Sequence, residues 1–109
     1  MVTEDEVRCL ALALPEAAEA DHHGFPSFRV RGKIFATLRD PGFVNVMIAV
    51  EEVEEVEAVV AEDPECCAPL WWGKKLSGVR VDLARVEAAL LTELLTDSWR
   101  RRAPKALLD

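Results

Sequence analysis

The chain has 109 residues, enough for a single hydrophobic core, and we expect one domain over residues 1–109. Its 20 acidic and 13 basic residues give a net charge of −7, which on bulk charge alone opposes binding to nucleic acid or to anionic lipid. No stretch approaches the roughly 20 apolar residues of a membrane span, and the N-terminus is acidic where a signal peptide is basic. We therefore expect a cytoplasmic protein without membrane contact.

The first element predicted is a helix. Thr3 and Glu6 have the spacing of a capping box, in which the hydroxyl accepts from the Glu6 N–H and the carboxylate reaches back. Apolar residues then recur at the helical period of one buried face, at Val7, Leu10, Ala11 and Leu14. Pro15 disfavours helical geometry at the residue before it, so the helix is expected to end there.

Three or four strands are expected over residues 17–49. Residues 17–23 form a weak candidate, 27–30 and 33–39 a hairpin around Arg31-Gly32, and 43–49 an alternating strand after an Asp-Pro-Gly turn. For the hairpin we favour a bulged turn with Gly32 left-handed, which pairs Arg29 with Lys33. This register places on the core face Phe28, Ile34, Ala36 and Leu38, and on the other face Arg29, Lys33, Phe35, Thr37 and Arg39.

The rest of the chain predicts a helix, a second hairpin and a final helix. Residues 50–62 carry a valine stripe at helical period with glutamates on the opposite side. Strands are expected at 70–74 and 79–82, joined across 75–78, and a leucine-rich helix from about 84 to 97 that continues toward Pro104. The order is that of an α+β fold, a single antiparallel β-sheet with helices packed on one face.

No group of residues has the pattern of a catalytic or metal site. His22 and His23 are adjacent, so in a strand they point to opposite faces and cannot chelate one ion together. Cys66 and Cys67 are vicinal, which is poor disulfide geometry, and they lack basic neighbours. The chain has no Gly-rich phosphate loop and no nucleophile motif. We therefore expect no enzyme activity, no cofactor and no metal.

Charge is segregated along the chain, and this gives the two basic hairpins a possible function. Residues 49–70 contain eight acidic residues and no basic one, whereas the basic residues concentrate in 21–48 and 71–86. Two hairpins that carry bases beside aromatic rings could contact a phosphate backbone and stack on bases. The other interpretation is a solvated sheet face with core tryptophans.

Three segments in chain order resemble the MmcQ/YjbR family of small bacterial proteins. They are LALALPEA at 10–17, VRVDL at 79–83 leading to SWRRRAPK at 98–105, and a central motif carried by Gly24, Pro26, Phe28, Val30, Gly32, Lys33 and Phe35. The resemblance spans essentially the whole chain. It implies an α+β fold shared with bacterial frataxin homologues and DNA binding through a "double-wing" surface, without catalytic or cofactor residues. The second hairpin departs from the family pattern, since it reads WWGKKL over 71–76.

The sequence is therefore consistent with two functions. The first is a non-enzymatic DNA-binding domain whose contacts are Arg29, Arg31, Lys33, Phe35, Arg39, Trp71, Lys74, Lys75 and Arg80. The second is a protein-interaction module or homodimer that uses the acidic helix 50–62 and has no nucleic-acid role.

Overall fold

A computed structural model describes residues 1–48 and 52–108. It contains three α-helices, α1 (Glu4–Leu12), α2 (Val53–Glu62) and α3 (Ala88–Arg102), and a short 3₁₀ turn at Lys105–Leu107. Its six strands are β1 (Ala17–His22), β2 (Phe25–Val30), β3 (Lys33–Thr37), β4 (Phe43–Met47), β5 (Cys67–Trp72) and β6 (Lys75–Asp82). The expected ends of a strand at 49 and of a helix at 50 lie outside the described residues.

All six strands form one antiparallel sheet in the order β1-β2-β3-β4-β6-β5. The three helices lie on one face of it: α1 packs on β1 and α3, α3 on β3 and β4, and α2 on β5 and β6. The core between these layers is formed by side chains such as Phe28, Val44, Val79, Leu91 and Leu95. The predicted α+β class and its element order are confirmed.

The first helix begins as the sequence predicts. The Thr3 hydroxyl accepts from the Glu6 N–H at 3.1 Å, and the Glu6 carboxylate accepts from the Thr3 N–H at 3.2 Å. Val7 and Ala11 are fully buried. The last helix begins four residues later than expected, at Ala88, and extends to Arg102, so its basic residues lie in its final turn. There they complement the negative end of the helix dipole.

The register expected for the first hairpin is wrong. Val30 pairs with Lys33 across a two-residue turn in which both Arg31 (φ 50°) and Gly32 (φ 81°) are left-handed. The bulge lies further along the ladder, where Phe35 is the extra residue between two paired positions. Because of this bulge, Phe35 is buried in the core and Ile34 faces the opposite side.

The second hairpin turns earlier than expected. Its turn is Gly73-Lys74, with Gly73 at φ 61°, and residues 75–78 belong to β6. Gly78 pairs with Met47 on one side and Leu70 on the other, and a bulge lies between Leu70 and Trp71. Since β3 and β6 both run away from their hairpin turns and are both antiparallel to β4, the two turns lie at the same end of the sheet, called the tip end below.

Candidate functional site

The face of the sheet that turns away from the helices is the candidate site, called the open face below. One aligned row of residues crosses all six strands on this face: Ala20, Ser27, Thr37, Asn45, Arg80 and Ala68. The acidic helix α2 packs on the other side of β5 and β6. Its glutamates are therefore separated from the open face by the thickness of the sheet.

A groove of about 310 Å³ runs along the open face toward the tip end. Its apolar side chains come from four strands and include Phe25, Ile34, Met47, Leu70 and Trp72. Thr37, Asn45 and Ser77 add polar groups, and His22, Arg39 and Arg102 add basic ones. No carboxylate is among the residues that line it within the described part of the chain. The groove thus offers apolar surface, hydrogen-bonding groups and positive charge together.

Arg39 lies between two aromatic rings at this groove. Its guanidinium carbon is 6.0 Å from the centroid of the Phe25 ring and 5.9 Å from that of the Trp72 ring. Both distances are at the limit of a cation–π contact, so the guanidinium is only loosely held. Trp72 is 70% exposed, and neighbouring Trp71 is 57% exposed. The Trp72 ring presents a large apolar surface to a ligand on this face, whereas Trp71 also borders the groove beside α2.

Asn45 is the most unusual polar residue of the groove. It lies on the central strand β4 and is only 5% exposed, yet its Oδ1 has no hydrogen-bond partner in the described structure. An unpaired buried acceptor costs about 1–3 kcal/mol. A side chain kept at that cost and facing a groove is suited to receive a donor from a ligand.

The C-terminus of α3 supplies a basic side chain, Arg102, at the tip end of the groove. Arg102 Nε donates to the Ile34 carbonyl oxygen at 3.2 Å, which holds this guanidinium beside β3. At the far side, His22 packs edge-on against Phe25, with ring centroids 5.4 Å apart. Neighbouring Arg101 is directed elsewhere, because it pairs with Glu52 and Glu55 of the α2 region.

Two of the predicted contact arginines are already paired with acids. Arg31 makes a two-pronged contact with Glu16, at 2.6 Å and 2.9 Å. The hydrogen bond from Arg31 lowers the pKa of the Glu16 carboxyl, and that carboxyl raises the pKa of the Arg31 guanidinium. Arg80 pairs with Asp40 at 3.2 Å and lies 3.9 Å from the centroid of the Phe43 ring.

The remaining predicted residues divide between the open face and the tip end. Arg29 is on the open face, where its guanidinium donates to the Ser27 hydroxyl at 3.1 Å. Lys33, Lys74 and Lys75 are exposed at the tip end. Phe35 was predicted to stack on bases, and this is wrong: the β3 bulge turns it into the core, where it is fully buried.

Several groove residues were not predicted, and for most of them the sequence contains only weak signals. Asn45 interrupts an apolar run, and Arg102 belongs to a run of three arginines, but neither pattern indicates a site. Phe25 and Trp72 each stand beside residues or motifs that were considered. What joins these four residues is the pairing of distant strands and the docking of α3.

Other groups of reactive side chains are buried or dispersed. The sulfurs of Cys66 and Cys67 lie 3.7 Å apart beneath the surface, and burial raises the pKa of the Cys67 thiol to about 12. Among residues 1–48 and 52–108, no three His, Cys, Asp or Glu side chains converge as metal ligands would. Within the same residues, every helix is too short or too polar to cross a membrane.

The fold agrees with what comparison with known proteins shows. A sequence model of the YjbR family matches residues 12–101. The chain belongs to the YjbR family. It is also similar to the crystal structure of protein DR2400 from Deinococcus radiodurans, which carries a DUF419 domain, with a TM-score of 0.72 and 27% identity over 91% of this chain and 77% of that one. No curated protein shows detectable similarity to the chain.

Proposed function

We propose that this YjbR protein binds DNA without acting on it chemically, and that it binds a single strand along the open face. The observation that carries the proposal is the combination, on one face, of the exposed Trp72 ring, Arg39 and Arg102 with a groove whose described lining has no carboxylate. Phosphates attract arginine and lysine side chains, and unpaired bases stack on aromatic rings. In a duplex the faces of the bases are stacked on one another and cannot contact such a ring, so single-stranded DNA is the better ligand.

The net charge of −7 opposes this mode of binding less than its size suggests. The eight acidic residues of 49–70 belong to the segment that contains α2, and α2 lies behind the sheet. At physiological salt, charges further apart than about 8 Å are largely screened from each other when exposed to solvent. A strand on the open face therefore experiences mainly the charges of that face and of the tip end.

The lysines at the tip end extend the positive surface beyond the groove. Lys33 follows one turn, Lys74 belongs to the other and Lys75 follows it, so the two turns lie on either side of the central strand β4. Both hairpins thus carry exposed lysines at their turns, as a DNA-binding surface formed by two hairpins requires. Arg31 and Arg80 contribute less than their charge suggests, since each already has a carboxylate partner.

The test is a titration of a fluorescein-labelled oligo-dT of about 20 nucleotides, followed by anisotropy at 50 and 200 mM salt. Trp72→Ala removes a stacking surface worth about 1–3 kcal/mol, so we expect Kd to rise by about 5- to 150-fold. Lys74→Ala should weaken binding and flatten the dependence of log K on log salt by about 0.7, the value for one phosphate contact on a single strand.

Arg85→Ala is the matched control. It also removes one positive charge, but Arg85 follows β6 at the end of the sheet away from the tip end, where it lies 3.8 Å from Asp82. It should leave Kd nearly unchanged. Wild-type binding weaker than about 10⁻⁴ M at 50 mM salt, or an equal loss in Arg85→Ala and Lys74→Ala, would contradict the proposal.

A second candidate function is self-association, and a second groove favours it. This groove, of about 620 Å³, lies between α2 and the β5–β6 hairpin and is lined by apolar residues that include Val53, Val60 and Leu76. Its rim carries Glu57 on one side and Lys74 on the other. In a two-fold dimer such a rim is self-complementary, because each glutamate meets the lysine of the other copy.

Light scattering during gel filtration tests self-association. A dimer held in this way should dissociate as salt rises, and Val53→Glu should make it monomeric at all salt concentrations. A weak dimer with a Kd of roughly 10⁻⁶ M is almost fully formed at a protein concentration about 100-fold higher. If the wild-type chain has a monomer mass at that concentration and at every salt concentration, this candidate is excluded.

A further inference from the structure

We propose that the open-face groove is a pocket for one unpaired nucleobase, which hydrogen-bonds to the amide of Asn45 and packs against Trp72. This inference rests on the proposed function and makes it more specific, because it assigns one place on the face where a base is held. The alternative source of the same chemistry is a free nucleotide, and the experiment below separates the two.

Asn45, which gives the first argument, has a buried side chain whose amide oxygen has no hydrogen-bond partner in the described structure. The residue is only 5% exposed and lies in the middle of the row that crosses the sheet, between Thr37 of β3 and Arg80 of β6. An amide presents a donor and an acceptor side by side, and the edge of a nucleobase presents the complementary pair. A base edge would satisfy the group that the protein leaves unpaired.

The second argument is the shape and polarity of the walls. Ile34, Met47 and Leu70 give the groove an apolar surface, and the aromatic rings of Phe25 and Trp72 stand at its sides. A planar ring with apolar faces and a polar edge matches this arrangement. An aliphatic ligand would cover the same walls but would leave the Asn45 Oδ1 without a hydrogen-bond donor.

The third argument is the charge at the rim. Arg39 is held only by two distant cation–π contacts, and Arg102 by one hydrogen bond to a backbone carbonyl. Each guanidinium has five N–H donors, so both retain donors for a phosphate attached to the base. The groove therefore matches the parts of a nucleotide: a planar ring, a hydrogen-bonding edge and an anion.

The experiment compares three probes on the full chain by intrinsic tryptophan fluorescence: an oligo-dA of eight nucleotides, the same backbone without bases, and deoxyadenosine monophosphate. Asn45→Leu has nearly the same size but no amide. We expect it to bind the oligo-dA about 5- to 150-fold more weakly, as for the loss of hydrogen bonds worth 1–3 kcal/mol, and to bind the base-free backbone as the wild type does. Its resistance to urea should equal or exceed that of the wild type, because an unpaired buried polar group is removed.

Each outcome decides a different point. Equal affinity of wild type and Asn45→Leu for the oligo-dA, or an equal loss for both strands, overturns the base pocket and leaves strand binding in place. Monophosphate binding that depends on Asn45, with no binding of the oligo-dA, supports the pocket but overturns the proposed DNA function. Absence of binding to all three probes overturns both. Asn45→Ala, which opens space instead of filling it, repeats the comparison if Asn45→Leu does not fold.

Discussion

Ser98 offers the most direct test of how the groove is built. This residue of α3 is fully buried, and its hydroxyl lies 2.7 Å from the Phe35 carbonyl oxygen and 2.6 Å from that of Met47. It thereby ties α3 to β3 and β4 beside the bulge that turns Phe35 into the core. Ser98→Ala removes the donor and leaves both carbonyls without this contact.

The cost follows from that geometry. Loss of a buried hydrogen bond that leaves its partner unpaired costs about 1–3 kcal/mol, and we take about 2 kcal/mol for this shared hydroxyl. For a domain of roughly 100 residues, 1 kcal/mol corresponds to at least about 4 °C, so Tm should fall by about 8 °C. Urea unfolding followed by the fluorescence of Trp99, which is buried in the same helix, measures the free energy.

Thr92→Ala is the control for this substitution. Thr92 is also in α3, and its hydroxyl donates to the Ala88 carbonyl oxygen at 2.8 Å, but it is exposed to solvent. Water replaces that hydrogen bond, so the free energy of unfolding should change by less than about 0.5 kcal/mol. If the two variants differ by less than that amount, Ser98 does not hold the bulge as described.

Two further predictions concern the sheet and the cysteines. A Cβ on Gly78 would lie 2.0 Å from the Val46 carbonyl oxygen, so Gly78→Ala must push β4 and β6 apart; we expect urea unfolding to show a loss of about 3 kcal/mol, and a loss below about 0.5 kcal/mol would refute the close approach. Iodoacetamide at pH 8 should label exposed Cys9 rapidly and Cys67 only on unfolding, as read by mass spectrometry. Burial raises the Cys67 pKa from 9.0 to about 12, so ionisation favours the unfolded chain and stability should fall as pH rises from about 9 toward 12, with Cys67→Ala flattening that slope.

Local patterns were sufficient to predict the elements of this fold. Three patterns were sufficient because each depends only on residues close together in the sequence. They are the Thr3–Glu6 cap, the alternation in β4 and the helical period of α3. The order of these elements then restricts the architecture, because short connections favour antiparallel neighbours and one apolar face requires one covering layer. The fold class follows without knowledge of any distant contact.

The register of the first hairpin could not be obtained in this way. The bulged turn was favoured because it separates apolar from basic residues and uses Gly32, whereas the observed tight turn pairs Val30 with Lys33 and holds Arg31 in the left-handed region, which arginine disfavours. In the structure, Arg31 is held by Glu16, a residue 15 positions earlier that is itself left-handed at φ 57°. This contact between the α1–β1 connection and the hairpin turn joins residues far apart in the sequence, so the local pattern of the hairpin does not show it.

The groove depends on still longer connections. Its lining residues come from all six strands, and Arg102 comes from the last turn of α3. The sequence shows where the basic residues are concentrated, but the carboxylates that pair with Arg31 and Arg80 lie 15 and 40 positions away. Side-chain type along the chain indicates what a surface offers, whereas only the fold determines what is already used.

Because α2 lies behind the sheet, its glutamates and the basic side chains of the open face are on opposite sides of the molecule, which gives it an electric dipole moment. A polyanion at long range is repelled by the net charge of −7, yet the torque on this dipole turns the open face toward it. Lower salt lengthens the reach of the repulsion and of the torque together. The rate of association with a nucleic acid should consequently pass through a maximum at intermediate ionic strength, instead of rising steadily as salt is removed.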